Sequence, residues 1–228
     1  MLFSSFTTVS RRRFSQCGLL LFTVLTVTCI RHFKKTPTGH IEALGSIEKV
    51  CLSPEELALY EKINEYRKKY DLPAVPLSRS LTMVAQLHGR DQMKYDFDGK
   101  ACNMHSWGKS ALWSDCCYGA AHGQAECMWS KPKEIAAFNT RGYEISARGH
   151  SYGSEDGTPG YVKMGLSADG ALSGWKESSG HNEVIINRGT WKGIKWQAMG
   201  VGIYADHVNV WWAMQADKRP PPIVCENY

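Results

Sequence analysis

The sequence predicts an α+β domain, and three observations carry that reading. Two stretches of helical periodicity fill residues 53–70 and 80–95. Two alternating runs between Met199 and Trp212 make an antiparallel hairpin. Nowhere does the strand–helix–strand rhythm of a parallel sheet appear. There is no internal repeat and no low-complexity tract.

The chain begins with a leader. Arg11, Arg12 and Arg13 precede an uncharged run from Phe14 to Ile30, and Arg31, Lys34 and Lys35 follow it. A basic start with a short apolar centre is the pattern of an export signal. At 17 residues the run is just short of the ~20 a membrane span needs. A cleaved signal peptide and a retained signal-anchor both remain open, with the lack of an Ala-x-Ala site leaning towards the anchor, and so towards a membrane tether through 14–30. Residues 1–35 form this leader and 36–50, with Pro37, Gly39 and Gly45, read as a linker. The domain proper spans 51–228 and lies outside the cytosol, secreted or membrane-anchored.

The charge supports that division. The whole chain carries +5, but residues 1–50 hold seven of the 27 Lys and Arg and only two of the 22 Asp and Glu. The remainder is neutral, so the basic pI belongs to the leader. A nucleic-acid partner, which would need a basic face on the folded part, is not expected.

Six cysteines lie beyond the leader: Cys51, Cys102, Cys116, Cys117, Cys127 and Cys225. In an exported domain an even set reads as disulfides. Cys51 and Cys225 can staple the two ends, and the other four can form two local bridges, with the connectivity open.

Ser53, Pro54 and Glu56 give the first helix a cap, a first-turn proline and a capping box. Leu59, Ile63, Tyr66 and Tyr70 continue it until Asp71-Leu72-Pro73 breaks it. The second helix, from about Ser80 to Tyr95, puts Leu81, Val84, Ala85 and His88 on one stripe, where His88 reads as a packed, hydrogen-bonded residue. Residues 96–129, rich in Gly, Cys, Trp and His, read as a long disulfide-pinned loop; its tryptophans, Trp107, Trp113 and Trp129, suit either a contact surface or a core. A short helix opens near Ser130-Lys131-Pro132, and 149–170 is a Gly-rich surface loop. Trp175-Lys176-Glu177-Ser178-Ser179-Gly180-His181 ends a short helix near Gly180 and presents His181 at its end. Met199, Val201 and Ile203 then alternate with Gly200, Gly202 and Tyr204. Val208, Val210 and Trp212 alternate with Asn209 and Trp211, and Pro220-Pro221-Pro222 closes regular structure.

Three polar residues sit where packing does not explain them: His105 in M-H-S-W, Glu144 in G-Y-E-I-S-A and His181 in S-G-H-N. Two imidazoles and a carboxylate are the donor types of a divalent-cation site, zinc foremost. They lie 39 and 37 residues apart in sequence, so the fold must bring them together. A Ser106 or Cys116 nucleophile beside His105 is a weaker arrangement, because adjacent Ser and His do not readily reach the attacking geometry.

Five segments in order carry a resemblance: 57–73, L-T-M-V-A-Q-L-H-G-R-D-Q-M (81–93), H-S-W (105–107), G-W-K-E-S-S-G-H (174–181) and A-M-G-V-G-I-Y (198–204). Together they resemble the CAP superfamily of cysteine-rich secretory proteins, insect venom antigens and pathogenesis-related proteins (the SCP-like extracellular domain), in the style of its bacterial or protist-type branch. The resemblance implies a three-layer α-β-α sandwich with a central antiparallel sheet, stapled by disulfides. It also implies a cleft where two His and two acidic residues hold a divalent cation, without organic cofactor. His105 matches the first family histidine and His181 the second, in its G-H motif. Glu144 stands in the place of the Glu of its G-E-N motif, lacking the flanking Gly and Asn; Glu126 in A-E-C is the rival. The family's second acidic position falls on Ser178, with Glu177 beside it. The implied function is a binding or interaction module for a lipid, a sterol or an extracellular protein partner. The alternative is a metal-dependent hydrolase using His105, His181 and Glu144, with Glu126 or Glu177 as base.

Overall fold

A computed structural model describes residues 46–95, 97, 101–149 and 166–226, and the backbone of 151–152 and 161–162. All of these fall in one compact unit, Pro37–Tyr228. The leader, most of the linker and much of the 149–170 loop lie outside the described residues. Among the described residues, regular structure is already present before Cys51: Ser46 caps a 3-10 turn over Ile47–Lys49, and Val50 is buried.

Helix α1 (Pro54–Lys68) starts as the sequence dictates. The Ser53 hydroxyl accepts the Glu56 N–H, and the Glu56 carboxylate accepts the Ser53 N–H. Helix α2 spans Arg79–Tyr95. Within the region read as loop, Ala125–Trp129 forms helix α3, and Lys131–Ala136 forms α4 with Pro132 in its first turn. Strand β1 (Cys51–Leu52) pairs in parallel with β7 (Ile223–Val224), and the Cys51–Cys225 disulfide closes this junction of the two chain ends.

The principal sheet has three antiparallel strands in the order β2 (Tyr143–Arg148), β6 (His207–Ala213), β5 (Ala198–Tyr204). The β5–β6 hairpin turns at Ala205-Asp206. Strand β2 had no sequence signal strong enough to mark it, being a six-residue segment with one apolar β-branched residue, Ile145. It is a strand because β6 offers it a partner, with Glu144 opposite Trp211. A small hairpin, β3 (Ser151–Tyr152) with β4 (Tyr161–Val162), lies in the Gly-rich loop.

Both faces of the sheet are covered, which makes the fold a three-layer α-β-α sandwich. On one face Ile145, Met199, Val201, Val208, Val210 and Trp212 pack with α1 and with helices α5 (Ala168–Glu177) and α6 (Ser179–Ile185). On the other, Ala198, Trp211 and Ala213 pack with Leu81, Val84 and Ala85 of α2, and with Trp107, Met128 and Phe138. Every residue of β6 is buried, as a central strand demands. The glycines of M-G-V-G-I-Y have a packing reason. A Cβ on Gly200 would lie 2.1 Å from the Leu81 carbonyl carbon, and one on Gly202 would lie 2.3 Å from that of Ala85. The backbone of α2 therefore rests directly on β5.

Two expectations need correction. Trp175 through His181 is not one helix ending at Gly180. Helix α5 ends at Glu177, Ser178 turns extended (φ −91°, ψ 111°), and α6 begins at Ser179. His181 thus stands in the first turn of a new helix, and Gly180 is a helical residue rather than a terminator. Of the two local bridges expected, only Cys102–Cys117 is closed; Cys116 and Cys127 are thiols. Once Cys117 turns towards Cys102, its neighbour Cys116 points into the core, where Trp107 pairs with it.

Candidate functional site: a carboxylate held between two histidines

Glu144 is the second residue of β2, and its side chain is wholly buried against the α2 layer. Helix α2 brings His88 to it, with Nδ1 2.5 Å from Glu144 Oε1. The loop before Ser106 brings His105, with Nδ1 2.8 Å from Oε2. His105 is fixed by its own backbone, whose N–H donates to Asn103 Oδ1 at 3.0 Å. One carboxylate therefore joins a helix, a strand and a loop.

The hydrogen bonding determines the proton positions. His88 Nε2 faces the Ser106 carbonyl oxygen at 2.9 Å, an acceptor only, so Nε2 carries hydrogen. Nδ1 faces a carboxylate oxygen, so a second proton must lie there. His88 and Glu144 hold that proton between them as a buried charged pair. Burial alone would raise the Glu144 pKa; the charge of His88, hydrogen bonds from both imidazoles and the charge of His105 together carry it down to about 2. The Asn209 amide, oriented to satisfy its neighbours, adds a donor to Oε1 at 3.3 Å and reaches Ser146 Oγ. His88 also stacks on Trp107, ring centres 4.1 Å apart and nearly parallel.

His105 has its Nδ1–H committed to Glu144, and its Nε2, turned away from the carboxylate, carries a lone pair in the neutral form of the ring. Its side chain is 20% exposed, and Tyr118 meets its ring edge-on. His181 approaches from α6. Burial and the charge of His105 hold its pKa below the usual imidazole value, and Glu144 opposes them. Among the described residues its ring has no hydrogen-bond partner. His105, Glu144 and His181 thus come into one electrostatic neighbourhood, with His88 as a fourth member.

The other candidates do not join them. Glu126 is turned outwards and pairs with Arg141 at 2.6 Å. Glu177 is exposed at the end of α5, and Ser178 carries no carboxylate. Ser106 is fully buried, its hydroxyl accepting the Tyr118 N–H and donating to the Tyr118 carbonyl. It is a structural residue.

The donor set does not fit a zinc centre with Glu144 as a ligand. Both carboxylate oxygens are taken by imidazole nitrogens, and no group of three or more His, Cys, Asp or Glu among the described residues is arranged to hold a metal ion. Zinc takes three or four protein ligands, whereas His105 Nε2 and His181 offer two. What the arrangement can do is orient His105 and favour its Nδ1-protonated form, as a carboxylate behind an imidazole does.

No protein-family model and no curated protein matches the chain. Solved structures do. An extracellular protein containing an SCP domain from Bacillus anthracis matches at 16% identity and TM-score 0.45, over 73% of this chain and 45% of that one. A cysteine-rich secretory protein from Staphylococcus aureus matches at 14% and 0.40, over 71% and 38%. An outer surface protein from Borrelia burgdorferi matches at 15% and 0.42, over 69% and 90%. This chain spans less than half the length of the first two proteins. Among its described residues no helix is long and apolar enough to cross a membrane.

Proposed function

We propose that this chain is an exported binding module of the CAP type that takes an anionic amphiphile, such as a fatty acid or an anionic lipid. The observation that carries this is a cleft of about 760 Å³ between α2 and the 108–113 loop. Leu87, Ala111, Leu112 and Trp113 supply an apolar wall; Arg90, Lys94 and Lys109 line it with positive charge, against the single acid Asp91. An acyl chain suits the wall and an acidic headgroup suits the cations. The cleft is held in shape before any ligand arrives. Asp91 accepts the Gly108 N–H at 2.7 Å, Tyr95 donates to the Lys109 carbonyl, and Trp113 Nε1 donates to the Gly108 carbonyl. Such preorganisation lowers the entropy cost of binding. Export is supported by the basic–apolar leader and by the two closed disulfides.

Fluorescent fatty-acid displacement and sedimentation with phosphatidylserine or phosphatidylcholine vesicles test the reading. Binding to the anionic ligand, weakened about tenfold or more by Lys94→Glu with Lys109→Glu, is expected. Equal binding to neutral and anionic lipid, or none, sinks it; sterol or a protein partner is then the occupant to seek.

A second reading has its own observation. In its neutral form, His105, oriented by Glu144, would act through Nε2 as a general base for hydrolysis, and a divalent cation would draw on His105 and His181. Zinc content of the wild type against His105→Ala with His181→Ala decides the cation. Peptide and ester turnover lost in the same variant would favour the hydrolase.

A further inference from the structure

The geometry points to Cys116 and Cys127 as a reversible dithiol–disulfide pair, closed by exchange with a small disulfide oxidant such as oxidised glutathione, that tethers the His105-bearing segment to α3. These are the only unbridged cysteines among the described residues. Cys127 Sγ lies 3.7 Å from the carbonyl oxygen of Asp115, the residue before Cys116, which brings the two cysteines side by side.

The two sulfurs have different surroundings, which sets their order of reaction. Cys127 is half-buried and lines an open cleft of about 520 Å³ with Ser114, Ser130, Lys133 and Glu134. That space admits a small disulfide. Cys116 is 4% exposed, and burial, then its contact with Cys127, pushes its thiol pKa up. Cys127 is therefore the thiol the oxidant meets. Its thiolate attacks one sulfur of RS–SR, forming Cys127–S–SR and expelling RS⁻, which takes up the proton Cys127 lost. Cys116 then gives up its proton and attacks Cys127 Sγ, closing the intramolecular bond and releasing the second RSH. Two protein thiols are oxidised and one RS–SR is reduced to two RSH.

The bond would act on the candidate site through the backbone. Trp107 and Cys116 exchange two hydrogen bonds, N to O at 2.8 and 2.9 Å. Trp107 stacks on His88, and the residue before it, Ser106, accepts His88 Nε2–H. Cys117, next in the chain, is already tied to Cys102. Closing Cys116 to Cys127 would link this ladder to α3 and limit the opening of residues 101–118.

The test uses the full chain in glutathione buffers of graded oxidised-to-reduced ratio, with alkylation, digestion and mass spectrometry. Mapping separates Cys116 and Cys127 from Cys17 and Cys29 of the leader. Loss of two alkylatable thiols with a linked 116–127 peptide, reversed at higher reduced glutathione, is expected. Amide exchange across 101–118 should be slower in the oxidised form. Cys127→Ser should leave Cys116 reduced throughout. The inference is overturned if Cys127 stops at the glutathione adduct, if Cys116 pairs elsewhere, or if exchange across 101–118 is the same in both forms. All but the Cys127→Ser arm are read on the wild type, so a poorly folding variant does not shelter the idea.

Discussion

Replacing Glu144 by Gln probes the buried pair directly. The substitution keeps the shape and removes the charge, leaving His88 and its proton in the core without a counter-ion. The Glu144 pKa falls from 4.5 to about 2 on folding, and the side chain is wholly buried, so solvent screening gives no discount. At 1.36 kcal/mol per unit, the carboxylate contributes about 3 kcal/mol at neutral pH, in line with the 3–5 kcal/mol seen when one partner of a buried pair is deleted. The sign is that of a depressed acid. The contribution is fully present above the unfolded pKa of 4.5 and is lost as pH falls towards 2; near pH 3 about half of it remains. Urea denaturation of wild type and Glu144→Gln at pH 7, 5 and 3 reads this out. The gap should be about 3 kcal/mol at pH 7, nearly as large at pH 5, and about half at pH 3. A gap below about 1 kcal/mol at pH 7, or one that does not shrink with acid, would show that the charge on Glu144 is not what holds the two imidazoles.

Other substitutions check the remaining reasoning. Gly202→Val should destabilise by about 3 kcal/mol or more, since its Cβ meets α2 backbone rather than a flexible side chain. Gly174→Ala, on an exposed face of α5 with open space around it, should instead stabilise by about 0.5–1 kcal/mol; thermal melts compare the two. Glu56 is also fully buried, but burial outweighs its hydrogen bonds and raises its pKa to about 7. Its contribution is present below pH 4.5 and is lost as pH rises through about 7, so the stability of wild type relative to Glu56→Gln should fall by up to about 3 kcal/mol between pH 4 and 8. Ser53→Ala removes the acceptor for the Glu56 N–H and should cost about 1 kcal/mol, read by urea midpoint.

The α+β class, the two long helices and the β5–β6 hairpin were legible in the sequence because each is announced by a local period or a local cap. Ser53 and Glu56 name the start of α1 within four residues. The Gly–Val–Gly–Ile alternation marks β5, although only contact with α2 explains why the small positions must be glycine. Cys51 and Cys225 were legible as an end-to-end staple from their positions. Strand β2 was not, because Tyr143–Arg148 has a burial pattern set by the strand beside it rather than a periodicity of its own. Helix α3 was hidden among the glycines and cysteines of 96–129. The α5–α6 break at Ser178 has no Gly or Pro to signal it.

The candidate site divides in the same way. Residue types singled out His105, Glu144 and His181, and the fold does bring the three into one neighbourhood. Their roles came from elsewhere. Whether a carboxylate ligates a cation or orients an imidazole depends on which atoms occupy its two oxygens, and those partners lie 56 and 39 residues away in the chain. His88 read as a packed residue on an apolar stripe, which it is, yet the face it packs against carries Glu144. Local pattern can place a side chain on a face of its own element. Only the stacking of α2 on the sheet, and the register of β2 against β6, could place that face over a buried charge and turn a group read as a metal ligand into the centre of a hydrogen-bonded pair.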